Sequence, residues 1–202
     1  MRSGEPIIVY QRQNGGVNSI YATTKGMLLL ATPPLDDPNF DRSVVYMMEH
    51  SAEGAVGVVL NHPTDETSID GLDLWMDLSA PPAVVFNGGP VQFDALIAIA
   101  ELRGPRDDAW SAILPDLGSV DLARDPIDVA DEVGRVRMFR GYAGWASGQL
   151  DGELAAGAWM VFDARRDDVF HAEPEDLWRH VLRRQGGRVA WLANAPDDLS
   201  MN

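Results

Sequence analysis

Met27-Leu28-Leu29-Leu30-Ala31, Ser43-Val44-Val45-Tyr46-Met47-Met48-Glu49 and Ala55-Val56-Gly57-Val58-Val59-Leu60 are short apolar runs closed off by Gly, Pro or Asp. Short and apolar or alternating, each reads as a strand. Working outward, Ala83 to Phe86, Ala95 to Ala100, Arg135 to Arg140 and Ala158 to Phe162 have the same character. Seven candidate strands imply one large sheet.

Helical signals are fewer. Pro174 to about Gln185 is the clearest: Pro174 suits the first helical position, and Glu175 and Asp176 face the positive end of the dipole. Leu177, Val181 and Leu182 make its core stripe, and Gly186-Gly187 is expected to stop it. Further helices are expected after Asp125-Pro126, with Ile127, Ala130 and Val133 inward; after Thr67 to Asp70, using Leu72, Trp75 and Met76; and after Ser147, with Leu150 and Leu154 inward. Strands outnumber helices and do not alternate with them. The expected fold is therefore a single α+β domain with a large mixed, mainly antiparallel sheet and flanking helices, not a doubly wound parallel one. Residues 1–24, polar and containing Gly15-Gly16, read as a loosely packed N-terminal arm ahead of a domain at 25–202.

Composition narrows the chemistry. The chain of 202 residues has no cysteine, which excludes disulfides, thiolate metal sites and a cysteine nucleophile. The longest apolar run, Ala95 to Ala100, is far below the roughly 20 residues of a membrane-spanning helix, and no secretory leader is legible at the N-terminus. A cytoplasmic protein without membrane contact is the expectation. Acidic residues number 31 against 16 basic ones, a net charge of −15, and no Lys or Arg occurs between Arg42 and Arg103. Such a surface repels phosphate backbones and argues against a nucleic-acid partner. Neither a GxxxxGK[ST] loop nor a GxGxxG turn is present, so no nucleotide cofactor is expected. His50, His62, His171 and His180 lack close metal-ligand spacing, Glu49 and His50 would face opposite ways on a strand, and no metal is expected. No GxSxG elbow singles out a nucleophilic serine.

Three segments are unusually punctuated. Ala31 to Ser43 carries Pro33, Pro34 and Pro38, with Asp36 and Asp37 able to close side-chain turns and Phe40 able to pin the loop to the core. Asn87-Gly88-Gly89-Pro90 reads either as a tight hairpin turn or as a backbone nest for an anion. Gly141-Tyr142-Ala143-Gly144-Trp145-Ala146-Ser147-Gly148-Gln149-Leu150 is read as leaving a strand, turning through glycines and entering a helix, with its rings serving packing or a ligand platform.

These residues resemble the AlgH/YqgE family of bacterial proteins. The resemblance rests on Gly26 to Ala31, Asp37-Pro38-Asn39-Phe40, Arg42 to Tyr46, His50, Gly54 to Asn61, Gly88-Gly89-Pro90-Val91, Gly141 to Trp145, Gly148-Gln149-Leu150 and Glu153, and runs from about Gly26 to the end. One departure is His62-Pro63, where the family typically has Arg-Pro. The arginine-rich, lysine-poor usage and the ending Leu192-Ala193 to Asp198-Leu199-Ser200 are similar to actinobacterial members. The resemblance implies an α+β domain on a large mixed sheet and a cytosolic protein, and it supplies no catalytic residues. The label of transcriptional regulator attached to many members finds no recognition helix or basic face here.

Asp37, Arg42, His50, Asn61, Gly88, Gly89, Tyr142, Trp145 and Gln149 are the candidate ligand-binding residues. The leading expectation is a non-enzymatic binding or regulatory protein whose stiff Pro/Gly loops recognise a small molecule or a protein partner. The rival is an enzyme in which Asp37, Arg42, Asn61 and Gln149 converge on His50 as acid or base. Both require the three punctuated segments to be neighbours.

Overall fold

The computed structural model describes residues 23–33, 37, 39–103, 110–129 and 131–194. They form a single α+β domain around one large, mainly antiparallel sheet. Its strands are β1 (Met27–Ala31), β2 (Val44–Ser51), β3 (Gly54–Val59), β4 (Val85–Asn87), β5 (Val91–Leu102), β6 (Trp110–Leu114), β7 (Leu117–Val120), β8 (Val133–Ala146) and β9 (Trp159–Asp163). The order across the sheet is β6-β7-β5-β8-β3-β2-β1-β9, and β4 alone runs parallel, against β8. All seven expected strands are present. Two were not foreseen, β6 and β7, a hairpin at one end of the sheet.

The continuous apolar runs are explained by burial on both sides. Leu28 and Leu30 point one way, with Tyr46 and Val58, against Leu177, Trp178, Val181 and Leu182 of α4 (Leu177–Arg183). Leu29, Val45, Met47 and Val59 point the other way, toward Leu150 and Leu154 of α2 (Gln149–Ala156). Each fully buried Leu or Val contributes roughly 1.5–3 kcal/mol of transfer free energy. Trp178 also donates its indole N–H to the Ala31 carbonyl at 3.0 Å, fixing α4 on the end of β1. A third apolar cluster joins Trp75 and Met76 of α1 (Asp73–Met76) to Val85, Ala98, Val136 and Met138.

The helices after Ser147 and over Leu177 stand as read, though Pro174 opens a single 3-10 turn rather than the helix itself. Two expectations are corrected. After Asp125-Pro126 only one 3-10 turn forms, over Pro126–Val129, and Ile127 is 70% exposed instead of inward. Asp125 Oδ1 accepts the Ile127 N–H at 2.9 Å and closes a tight turn, the local competition that shortens helices after Asp. Gly186-Gly187 does not end the helical region either: Gly186 takes a left-handed φ of 71° and the chain re-enters α5 (Gly187–Trp191). Near the C-terminal end of β9, one helical turn, α3 (Arg166–Val169), was also not foreseen.

Two of the punctuated segments meet at β8. This strand pairs with β5 on one edge and with β4, then β3, on the other. Gly88-Gly89-Pro90 therefore carries the chain across β8 from one edge to the other; it is not the tight hairpin turn the sequence suggested. Gly88 N–H donates to the Arg140 carbonyl at 2.7 Å, and a Cβ on Gly89 would sit 2.3 Å from the Tyr142 carbonyl carbon. Gly141, at φ 66°, is the matching gap on the strand side: a Cβ there would meet the Gly89 oxygen at 2.6 Å. Gly141 to Ala146 is consequently strand and not the expected turn; its glycines admit a second backbone.

Candidate functional site

His50 lies near the end of β2 opposite Ala55, and Ala55 lies opposite Trp145, so the three side chains share one face in a row across β2, β3 and β8. Glu49 is exposed and His50 buried, as alternation requires. The Thr24 N–H donates to His50 Nδ1 at 3.1 Å, and Thr24 Oγ1 is 3.0 Å from the same nitrogen. A backbone N–H only donates, so in the neutral ring Nδ1 is the bare nitrogen and the proton sits on Nε2. Nε2 faces Asp151 of α2 at 3.8 Å.

Trp145 and Gln149 converge on a residue outside the candidate set, Glu153. The indole N–H groups of Trp145 and Trp159 donate to Glu153 Oε2 at 2.8 and 2.7 Å, and Gln149 Nε2 donates to Oε1 at 2.9 Å. Gln149 Oε1 accepts the Ala146 N–H at 3.1 Å, so both ends of its amide are used. Phe40 closes the cluster, its ring 5.4 Å from that of Trp159 and 6.4 Å from that of Trp145. Phe40 and the Trp145 strand end are thus neighbours. The signal for Glu153 was its place four residues after Gln149, one helical turn on, in a helix between two tryptophans.

Asn61, Arg42 and Gly88 form a second group where β2 begins. Asn61 Oδ1 accepts the Val44 N–H at 2.8 Å, and its Nδ2 donates to the Arg42 carbonyl at 3.0 Å. Arg42, at φ 49°, holds its guanidinium 5.5 Å from the centre of the Trp178 ring. Gly88 joins through its carbonyl, which accepts the Val59 N–H at 2.9 Å. Asp37 serves its own loop, its Oδ1 accepting the Asn39 N–H at 2.9 Å. Tyr142 is half-buried beside Gly144. A cavity of about 410 Å³ lies elsewhere, between α1 and residues 121–126, and none of the candidates lines it. Among the described residues no three His, Asp or Glu side chains gather as a metal site would require.

His62, His171 and Arg137 are among the groups that the fold shifts from their ordinary values. Burial holds His62 below the ordinary histidine value, against the pull of Asp41. Burial and the adjacent His180, whose ring centre is 4.7 Å away, lower His171 in the same direction. Both rings bind protons less readily folded than unfolded, so they cost no stability above about pH 6.5 and increasingly destabilise the fold below it. Glu66 is lowered by its hydrogen bond from Arg140 and loses its contribution only below about pH 4.3. Urea midpoints are therefore expected to fall between about pH 6.5 and 5, and His62→Gln should flatten that fall. Arg137 is 1% exposed, and burial, then the nearby Arg135, push its guanidinium down to about 10. It donates to the carbonyls of Pro81 at 2.6 Å and His171 at 3.1 Å and lies 4.3 Å from the Phe86 ring centre. Nε has no partner among the described residues, and no carboxylate there pairs with this cation.

A family model described as AlgH-like matches residues 28–190. The chain belongs to the AlgH-like family. Relatives of this AlgH-like chain include a UPF0301 protein of Streptomyces avermitilis, 46% identical over 192 residues, covering 93% of this chain and 99% of the relative. Another, from Thermobifida fusca, is 46% identical over 187 residues, covering 88% and 94%. Among solved structures, protein DIP2367 from Corynebacterium diphtheriae superposes with a TM-score of 0.78 at 30% identity, covering 83% of this chain and 90% of that one. The AlgH protein from Pseudomonas aeruginosa gives 0.62 at 27% identity, covering 93% and 98%. No described helix is long and apolar enough to cross a membrane.

Proposed function

We propose that this AlgH-like chain is a non-enzymatic binding protein of the cytoplasm whose rigid loops present a recognition surface to a small molecule or a protein partner. The observation that carries this reading is at His50. Its bare nitrogen, the one a general base would use, already accepts from Thr24, and its protonated nitrogen faces Asp151. Asn61 and Gln149 are likewise occupied in tying neighbouring segments to strands, and Asp37 in closing its own loop. Side chains committed in this way make a preorganised surface, which lowers the entropy lost on binding, and none of these four candidates is left free as an acid–base group. The net charge of −15 supports a partner other than nucleic acid.

A thermal-shift screen of metabolites, nucleotides, divalent ions and peptides on wild type and His50→Gln tests this. A true ligand at a hundredfold excess over its Kd raises Tm by about 5–10 °C in both proteins and is recovered unchanged. A compound converted by wild type and spared by a folded His50→Gln variant would instead establish an enzyme.

A further inference from the structure

We propose that the cleft between α1 and residues 121–126 is a docking site for a basic, amphipathic segment of a partner protein. The proposal rests on the binding reading above but concerns a separate surface. The cleft encloses about 410 Å³, enough to seat large apolar side chains. Leu72, Leu122 and Pro126 line it. Trp75, 2% exposed, is held in place by its indole N–H, which donates to the Arg124 carbonyl at 3.1 Å.

Of the five large apolar side chains exposed among the described residues, two stand on the two segments that frame this cleft: Leu74, 49% exposed, and Ile127, 70% exposed. Residues 70–77 and 121–128 together carry six aspartates, all exposed, against one arginine. They include part of the sixty-residue stretch, 43–102, that has no Lys or Arg. Exposed Leu74 and Ile127 set among exposed aspartates are complementary to a helix that presents leucine-like anchors on one face and Lys or Arg around them. A second copy of this chain would set the same aspartates against one another, and a nucleic acid would be repelled.

The test uses the full chain and a synthetic peptide with leucines at helical spacing and lysines elsewhere, alongside its glutamate-for-lysine counterpart. Heteronuclear NMR is expected to show shifts centred on the Trp75 indole N–H and the Ala123 amide. The Kd should weaken at least tenfold in the double variant Leu74→Ser/Ile127→Ser and rise with salt, and the glutamate peptide should not bind. Both substitutions are at exposed positions and should leave the fold intact; unchanged spectra elsewhere would verify that. Absent binding, shifts centred elsewhere, an unchanged Kd in the double variant, or equal binding of the glutamate peptide would overturn the proposal. So would a concentration-dependent dimer, seen by sedimentation and abolished by the double variant, because the occupant would then be a second copy. None of these outcomes touches His50 or the loops, so the binding reading is judged separately.

Discussion

Gly89→Ala is expected to abolish folding, giving insoluble protein or a chain without a cooperative urea transition. The alanine Cβ would lie within 2.3–2.5 Å of Tyr142 and Ala143 backbone atoms, and Gly89 has a φ of 146° that L side chains rarely adopt. Backbone cannot step aside as a flexible side chain can, and the segment cannot move without detaching β4 or β5 from β8. A loss above about 4 kcal/mol is a large share of the 5–15 kcal/mol that holds a domain together. Gly71→Ala is the control. It too has a left-handed φ, 78°, but open space around it, so its cost should stay near 1–2 kcal/mol. A Gly89→Ala protein within about 1 kcal/mol of wild type would mean that the chain does not cross β8 as described.

Arg137→Ala should cost about 3–5 kcal/mol by urea denaturation at neutral pH, because it leaves a cavity and releases two carbonyl acceptors at once. Those acceptors, on Pro81 and His171, belong to two otherwise separate loops that the guanidinium ties to β8. Arg137→Met discriminates between packing and charge. It restores most of the volume and removes a desolvated cation that has no carboxylate partner among the described residues. Methionine refills the cavity but leaves the same two carbonyls without their donor, so the methionine variant should recover the cavity share of the loss and not the hydrogen-bond share. If it is as unstable as the alanine variant, the carbonyl bonds rather than the filled space hold the loops.

The parts of the fold that were legible in the sequence were those where burial dictates composition. β1 needs apolar side chains on both faces, so Met27 to Ala31 announces itself. β6 and β7 sit at the end of the sheet with mostly half-buried side chains, and Ser111, Gly118 and Ser119 dilute their pattern; the usable clue was the Pro115-Asp116 corner between two short runs. Glycine misled most. In Gly141 to Trp145 it marks a strand beneath another backbone, and glycine's tolerance of close approach looks the same in sequence as its tolerance of turns. Of the site, the residues themselves pointed to Trp145 and Gln149, with Phe40 as a core pin; Glu153 entered only through the family resemblance and not as a candidate, because its importance comes from accepting three hydrogen bonds in space. Arg137 and the α1 cleft left no local signature, since each depends on loops remote in the chain.

The functional reading turns on whether the one candidate acid–base group is free to act. Nitrogen-15 NMR of the histidine rings, with His50 assigned by comparison with His50→Gln, measures this directly. The expected result is a His50 ring whose proton sits on Nε2, with Nδ1 hydrogen-bonded from Thr24. A ring protonated at Nδ1, or one exchanging rapidly between tautomers, would show a nitrogen available for proton transfer and contradict the account.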